Sequence, residues 1–226
     1  MNIMDSIDEC TISYPKTMYA LKESMLSGEQ SPGVNYFLHG EEVADKFTTL
    51  MALAKDGKAS CKMIDATGAH WRLPNWFVDN QKWIYSKLEP KFDIYRTYHI
   101  WHDCGKSLVK KFDSNSAQAH YPDHAEVSAN AWIAAGGDEG VASLIRSDML
   151  CHRLRRANEA KLHATTNPDF LVLMVTTLCA LHVYLPTLKD GEERPSDLTT
   201  SEGFKIKFKR MQYIGNMMMQ ILNKTK

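Results

Sequence analysis

The chain has 226 residues, enough to bury one sizeable core, and no linker-like segment divides it into two domains. Its 27 Lys and Arg residues balance 27 Asp and Glu residues, which excludes a general electrostatic attraction to nucleic acid or membrane but leaves open a local nucleic-acid patch. The five cysteines contain no C-x-x-C pair, which argues against a disulfide framework and fits a reducing compartment. No signal-peptide pattern opens the chain, so we expect a cytoplasmic protein.

Helical periodicity dominates the chain and strand-like alternation is scarce, which predicts an all-α, single-domain bundle over residues 1–226. Helices are expected at residues 16–27, 40–55, 75–88, 91–103, 123–135, 138–157, 168–185 and 202–222. The last of these should pack on the others. Residues 55–74 and 189–201 are rich in turn-forming residues and are expected to be loops.

The longest apolar stretch covers residues 170–188 and is interrupted by two threonines, His182 and Pro186. It is too polar for a membrane span. We therefore expect a buried central helix and no association with a membrane.

Six residues with side chains that bind metals recur on predicted helices or at their edges: His39, His102, Asp103, His124, Asp148 and His152. The adjacent His102 and Asp103 offer a neutral nitrogen and an anionic oxygen at one point, and a spacing of four places Asp148 and His152 on one helical face. His120 has the same spacing from His124, but we favour a loop position for it. Imidazole and carboxylate ligands together suit one or two ions of Mn, Fe, Co, Ni or Zn, with Mg at carboxylate-rich positions.

Three segments carry a resemblance to the HD-domain superfamily of metal-dependent phosphohydrolases. Residues 98–107 (YHIWHDCGKS) are similar to its HDxGK signature, and residues 37–52 (FLHGEEVADKFTTLMA) to its first helix. Residues 121–136 (YPDHAEVSANAWIAAG) resemble the helix that bears a further histidine in binuclear members. The resemblance covers roughly residues 36–185 and implies a helical bundle around a buried metal site.

The implied activity is hydrolysis of a phosphoester or phosphoanhydride in a small nucleotide-like substrate. Asp103 would bridge the metal ions, and Asp103 and Lys106 would be catalytic. Substrate phosphate would be bound by Lys106, Arg146, Arg153 and Arg156, since residues 152–161 (HRLRRANEAK) are the densest basic segment near the predicted ligands.

One departure from the family pattern affects the last ligand. Members usually close the site with an Asp in a later apolar helix, whereas residues 170–185 contain no Asp and carry His182 instead. We favour Asp148 over His182 as the replacement, because its helix also supplies His152. The metal count stays open.

Other functions remain alternatives. A phosphodiesterase that opens 2′,3′-cyclic phosphate at RNA ends would use the basic cluster of Lys205, Lys207, Lys209 and Arg210 together with the aromatic patch of residues 71–77 (WRLPNWF). For both features we favour the ordinary interpretation, a solvated helix face and a loop anchored to the core. A di-iron oxygenase with the same ligands and a non-catalytic binding module are further alternatives, and the sequence does not decide between a monomer and a homo-oligomer.

Overall fold

Helices form nearly all the regular structure of the computed structural model, which describes residues 12–31, 33–112, 119–183 and 198–225. In chain order they are α1 (Met18–Ser27), α2 (Tyr36–Asp56), α3 (Asn75–Val78), α4 (Gln81–Leu88), α5 (Phe92–Trp101), α6 (Lys106–Val109), α7 (His124–Ala134), α8 (Glu139–Ser147), α9 (Leu150–Arg153), α10 (Ala157–Thr166), α11 (Phe170–Val183) and α12 (Glu202–Leu222). Three short antiparallel pairs connect some of them: β1 (Glu29–Ser31) with β2 (Val34–Asn35), β3 (Lys62–Ile64) with β4 (His70–Arg72), and β5 (Lys111–Phe112) with β6 (Ala119–His120). The predicted all-α fold is confirmed.

Helix α11 lies at the centre of the fold. Thirteen of its 14 residues are buried, and it packs against α2, α9, α10 and α12. The hydroxyl of Thr177 donates to the carbonyl of Leu173, so this polar side chain is satisfied within the helix. The predicted buried central helix is thus confirmed, and among the described helices none combines the length and the apolar character that a membrane crossing requires.

Helix α2 presents a stripe of buried side chains at helical spacing to α5 and α11. The Asn35 side chain accepts a hydrogen bond from the Leu38 amide at its start, and Gly57 ends it in the left-handed conformation. Helix α2 therefore begins at Tyr36, earlier than the expected residue 40, and His39 lies in its first turn.

The segment expected to be a loop at residues 55–74 contains the hairpin of β3 and β4. The Asp65 carboxylate organises its turn by accepting hydrogen bonds from Thr67, from the amide of Ala69 and from the indole of Trp71. Three aromatic side chains of the 71–77 patch are buried, namely Trp71, Trp76 and Phe77. The patch anchors a loop to the core, which confirms the interpretation favoured from the sequence.

The helix predicted at residues 138–157 is divided between α8 and α9, and α10 follows as a separate helix. Leu154 is extended, and the Glu159 carboxylate accepts hydrogen bonds from the amides of Arg155 and Arg156, which starts a new helix there. The predicted helix at 75–88 is likewise interrupted, between α3 and α4. Residues 184 and 185 of one predicted helix, and most of the loop expected at 189–201, lie outside the described residues.

Helix α12 packs against α3, α10 and α11. Its buried side chains recur at three- and four-residue spacing: Phe204, Phe208, Met211, Ile214, Met218 and Met219. The predicted C-terminal helix therefore contacts the central helix directly.

Candidate metal centre

The His102–Asp103 pair lies in a tight turn between α5 and α6. The amide of Cys104 donates to the carbonyl of Trp101 at 3.1 Å, and the amide of Lys106 donates to the carbonyl of Asp103 at 3.0 Å. His102 is 6% exposed and Asp103 is 2% exposed. The turn therefore holds a carboxylate and an imidazole in the interior, where a charge requires a partner.

A glycine allows α2 to approach this turn. A Cβ atom added at Gly40 would overlap the backbone carbonyl of Ile100, so any side chain there would separate α2 from α5. His39 precedes Gly40 directly, and its ring lies 5.5 Å from the ring of His102, measured between centroids. The close contact of the two backbones is thus what brings two histidines from distant segments together.

A second glycine brings α7 to the other side of the turn. A Cβ atom at Gly105 would collide with the backbone of Val127 and Ser128. The Gly105 amide donates to the Ser128 hydroxyl at 2.9 Å, and the Cys104 thiol donates to the Ser128 carbonyl at 3.2 Å. This contact places the start of α7, and with it His124, beside Asp103.

Three imidazoles face the Asp103 carboxylate. Nε2 of His102 lies 3.2 Å and Nε2 of His39 lies 3.9 Å from Oδ2 of Asp103, and Nε2 of His124 lies 3.8 Å from Oδ1. His39, His102 and Asp103 each offer a ligand atom within 4.8 Å of the others. This group could hold a metal ion, and His124 could add a ligand on the second carboxylate oxygen.

Backbone carbonyls fix the orientation of two of the rings. Nδ1 of His102 lies 2.7 Å from the carbonyl of His99, and Nδ1 of His124 lies 3.0 Å from the carbonyl of Tyr121. Because a carbonyl only accepts, each Nδ1 carries the hydrogen. A neutral ring that donates in this way presents the lone pair of Nε2, and histidines that ligate metals usually donate their other ring nitrogen to a carbonyl or carboxylate in the same manner.

The electrostatics of the turn favour an ionised Asp103. Burial alone would raise its pKa, but the charges of His102 and Lys106 hold the pKa well below its usual range. Burial opposes protonation of His102, yet the Asp103 charge outweighs it and raises the pKa of His102 to about 9. Burial lowers the pKa of His39 to about 4, so this ring is neutral near pH 7. The chain thus balances an anionic carboxylate with cationic groups, and a metal ion bound here would take over part of that role.

Lys106 makes the shortest contact with Asp103. Its Nζ lies 2.7 Å from Oδ2 of Asp103, 3.1 Å from Oε1 of Gln30 and 5.3 Å from the ring centre of Tyr121. The side chain is largely buried. Lys106 therefore places an ammonium group in the cavity next to the carboxylate, as its predicted role requires.

All six predicted metal ligands line one cavity of about 440 Å³. Asp148 is held there by Tyr98, whose hydroxyl donates to Oδ1 at 2.6 Å. Burial lowers the pKa of His152, which favours a neutral ring with a nitrogen lone pair that could ligate a metal ion. The volume falls in the range of small-molecule sites.

Two further histidines, His182 and His99, have structural surroundings. Nδ1 of His182 donates to the carbonyl of Leu178 at 2.8 Å, and its Nε2 accepts from the amide of Arg72 at 3.1 Å. Both nitrogens are engaged, so the arrangement supports Asp148 over His182 as the closing ligand. His99 is buried against Phe47. His120 lines the cavity from β6, not from the helix that carries His124.

The three predicted phosphate-binding arginines, Arg146, Arg153 and Arg156, are not among the residues that line this cavity. Arg146 pairs with Glu126 at 3.5 Å and with Glu139, Arg153 lines a separate surface depression, and Arg156 lies exposed at the start of α10. The prediction assumed one continuous helix over residues 138–157. The breaks after α8 and α9 change the direction of the later Arg153 and Arg156, whereas Arg146 lies before both breaks and faces its two carboxylate partners.

Two cations line the cavity, although a position on a solvated helix face was favoured for them from the sequence. Lys207 and Arg210 reach it from α12, next to Met211. The cluster itself was visible in the sequence, and so was its place beside an apolar stripe. The position of Lys207 and Arg210 at the cavity depends on how α12 packs, and no local pattern contains that information.

Comparison with known proteins finds no matching family model, no matching curated protein and no matching solved structure. The HD-domain resemblance therefore stays a prediction from the residues quoted above.

Proposed function

We propose that the protein is a divalent-metal-dependent phosphohydrolase of the HD-domain type, acting on a phosphoester or phosphoanhydride in a small nucleotide-like substrate. The observation that carries the proposal is the convergence of three imidazole Nε2 atoms on the two oxygens of Asp103, from three separate segments of the chain. Such a convergence of otherwise unrelated histidines is typical of a metal site.

His39, His102 and Asp103 would hold the first ion. His124 would join on the second carboxylate oxygen, and Asp148 and His152, which line the same cavity, would complete the ligand set. These residues would thereby supply the site with Lewis-acid chemistry, the polarisation of a phosphoryl group and the activation of water. The mixture of nitrogen and oxygen donors favours Mn, Fe, Co, Ni or Zn, with Mg at the carboxylates.

Lys106 would act on the substrate. Its ammonium group donates to Asp103 and Gln30, and its third hydrogen can be donated to a phosphate oxygen of a substrate in the cavity. Arg146, Arg153 and Arg156 have no part in this step, because they lie outside the cavity.

The alternatives have weaker support. The RNA-end phosphodiesterase drew on aromatic stacking, and the buried positions of Trp71, Trp76 and Phe77 remove that support. A di-iron oxygenase would use the same ligands, so oxygen dependence separates it from a hydrolase.

The test is elemental analysis of the purified protein, followed by a nucleotide panel assayed anaerobically with each of the six metals. Asp103→Asn should lose bound metal and activity. Asp45→Asn, which alters an exposed carboxylate on α2 near Arg96, is the matched control and should keep both. The proposal is wrong if the wild-type protein holds no divalent metal and Asp103→Asn changes neither stability nor turnover. Product formation that requires oxygen would identify the oxygenase.

A further inference from the structure

The basic cluster of α12 divides between two faces of the helix. Lys207 and Arg210, three residues apart, line the cavity, whereas Lys205 and Lys209 are exposed. Lys205 also lies 3.6 Å from Glu202 on the outer face. Only two of the four cluster residues, Lys207 and Arg210, therefore line the cavity.

Buried aromatic residues fix this orientation. Phe204 and Phe208 stack with their ring centres 5.7 Å apart, and the Arg72 guanidinium lies 4.7 Å from the centre of the Phe208 ring. Met211 is buried one turn further on and itself lines the cavity. The face that carries Lys207 and Arg210 is thus held by packing on both sides.

The surroundings of these two cations are those of an anion site. Burial, followed by the charge of Arg210, lowers the pKa of Lys207, and burial, followed by the charge of Arg155, lowers the pKa of Arg210. Nε of Arg210 is buried and has no hydrogen-bond partner within the part of the chain that the structure describes. A buried donor without an acceptor is costly, and an anionic oxygen in the cavity would relieve that cost.

We propose that Lys207 and Arg210 form an anion subsite for a second phosphoryl group of the substrate, apart from the one that is hydrolysed. This inference rests on the proposed function for the position of the first phosphoryl group, which would lie at the metal centre within reach of Lys106. Lys106 reaches the cavity from α6, whereas Lys207 and Arg210 reach it from α12, so the two positions belong to separate elements. The substrate class is therefore a small molecule with at least two phosphoryl groups, which suits a cavity of about 440 Å³ better than a polymer does.

The first experiment tests binding without metal. Inorganic pyrophosphate is titrated into the full-length protein in a buffer that contains a metal chelator and has constant ionic strength. The affinity for pyrophosphate is measured by calorimetry and by thermal unfolding. Lys207→Gln and Arg210→Gln should each weaken binding about tenfold, the loss of one charge-assisted hydrogen bond. Lys209→Gln, on the exposed face of the same helix, is the matched control and should stay within about twofold. Equal affinity for pyrophosphate in the wild-type protein and in the double variant, which combines Lys207→Gln with Arg210→Gln, would overturn the proposal.

The second experiment separates this subsite from the metal centre. The Asp103→Asn variant should still bind pyrophosphate in the presence of the chelator, because Asp103 belongs to the metal centre and not to the subsite of Lys207 and Arg210. In the metal-loaded protein, the double variant should raise KM for a nucleoside diphosphate about tenfold or more and leave p-nitrophenyl phosphate hydrolysis within about twofold. An equal loss with both substrates would overturn the subsite. Pyrophosphate binding that depends on Lys207 and Arg210, in a protein without metal-dependent hydrolysis, would uphold the subsite and contradict the proposed function.

Discussion

The phenolic hydroxyl of Tyr98 donates a 2.6 Å hydrogen bond to Oδ1 of Asp148, across a separation of 50 residues in the chain. Tyr98 is fully buried on α5, the helix that ends at His102. Burial and the charge of Asp148 raise the pKa of Tyr98 well above its ordinary value, so the hydroxyl remains a donor at any working pH. One helix therefore leads directly into the His102–Asp103 turn and also orients the Asp148 carboxylate, which lines the same cavity.

Tyr98→Phe should weaken Mn²⁺ binding about tenfold, since loss of a partner that orients a ligand typically costs that much or more. Tyr95→Phe, which removes a hydroxyl from another buried tyrosine of α5, serves as the control and should bind Mn²⁺ as the wild type does. Calorimetric titration of both variants measures the difference. Unchanged affinity in Tyr98→Phe would show that Asp148 is not a ligand.

Gly40→Ala should destabilise the fold by about 1–3 kcal/mol or more, because the new methyl group would overlap the Ile100 carbonyl, a backbone atom that cannot rotate away. The control is Gly203→Ala in the first turn of α12, where, apart from the backbone of the helix itself and the adjacent residues, no atom of the described residues lies within 4 Å of the added Cβ. That substitution should stabilise by about 0.5–1 kcal/mol. Urea unfolding of the two variants should therefore give changes of opposite sign, and equal changes would contradict the close approach of α2 and α5.

Ser128→Ala should destabilise by about 1–3 kcal/mol, since it leaves the buried Gly105 amide without its acceptor. Because that amide belongs to the Asp103 turn, Mn²⁺ affinity should fall as well. Ser86→Ala removes an exposed hydroxyl that bonds a carbonyl on α4 and should change stability by less than about 0.5 kcal/mol. A stability loss in Ser128→Ala without any loss of metal affinity would show that the turn is positioned by other contacts.

The Asp65 hairpin should make stability depend on pH in acid. Burial acts to raise the pKa of Asp65, but hydrogen bonds from Thr67, Trp71 and Ala69 outweigh it and bring the pKa from 3.8 to about 2. A carboxyl group with a lowered folded-state pKa stabilises the fold above its unfolded value, and this stabilisation is lost as the pH falls from 3.8 towards 2.

Asp65→Asn should therefore be less stable than the wild type by about 1 kcal/mol at pH 6, a modest value because solvent screens this half-buried group. The difference should shrink as the pH approaches 2. Urea unfolding at several pH values measures it, with Asp79→Asn at an exposed position as the control, within about 0.5 kcal/mol of the wild type. A difference that stays constant from pH 6 to pH 2 would contradict the hydrogen-bonded turn.

Local patterns predicted the elements better than their breaks. The apolar content of residues 170–183 predicts a buried helix, and the spacing of apolar residues predicts α12 with its bounds. The break after Ser147 carries no proline or glycine. It arises where Asp148 accepts the hydrogen bond from Tyr98 on α5 and where Leu154 is buried in the core. Such a break depends on tertiary contacts, so helical periodicity alone extends the helix too far.

The sequence by itself determined the helical class, the buried central helix and the identity of the residues that can bind a metal, because periodicity and side-chain chemistry are properties of the chain at each position. Only the tertiary structure decided which of these residues share a cavity. The contact at Gly40 brought His39 to Asp103, and hydrogen bonds engaged both nitrogens of His182. Arg146 faces Glu126, whereas Lys207 and Arg210 line the cavity. The physical reason is that the direction of a side chain depends on how its helix packs against remote segments, and close packing sets that direction for all of them together.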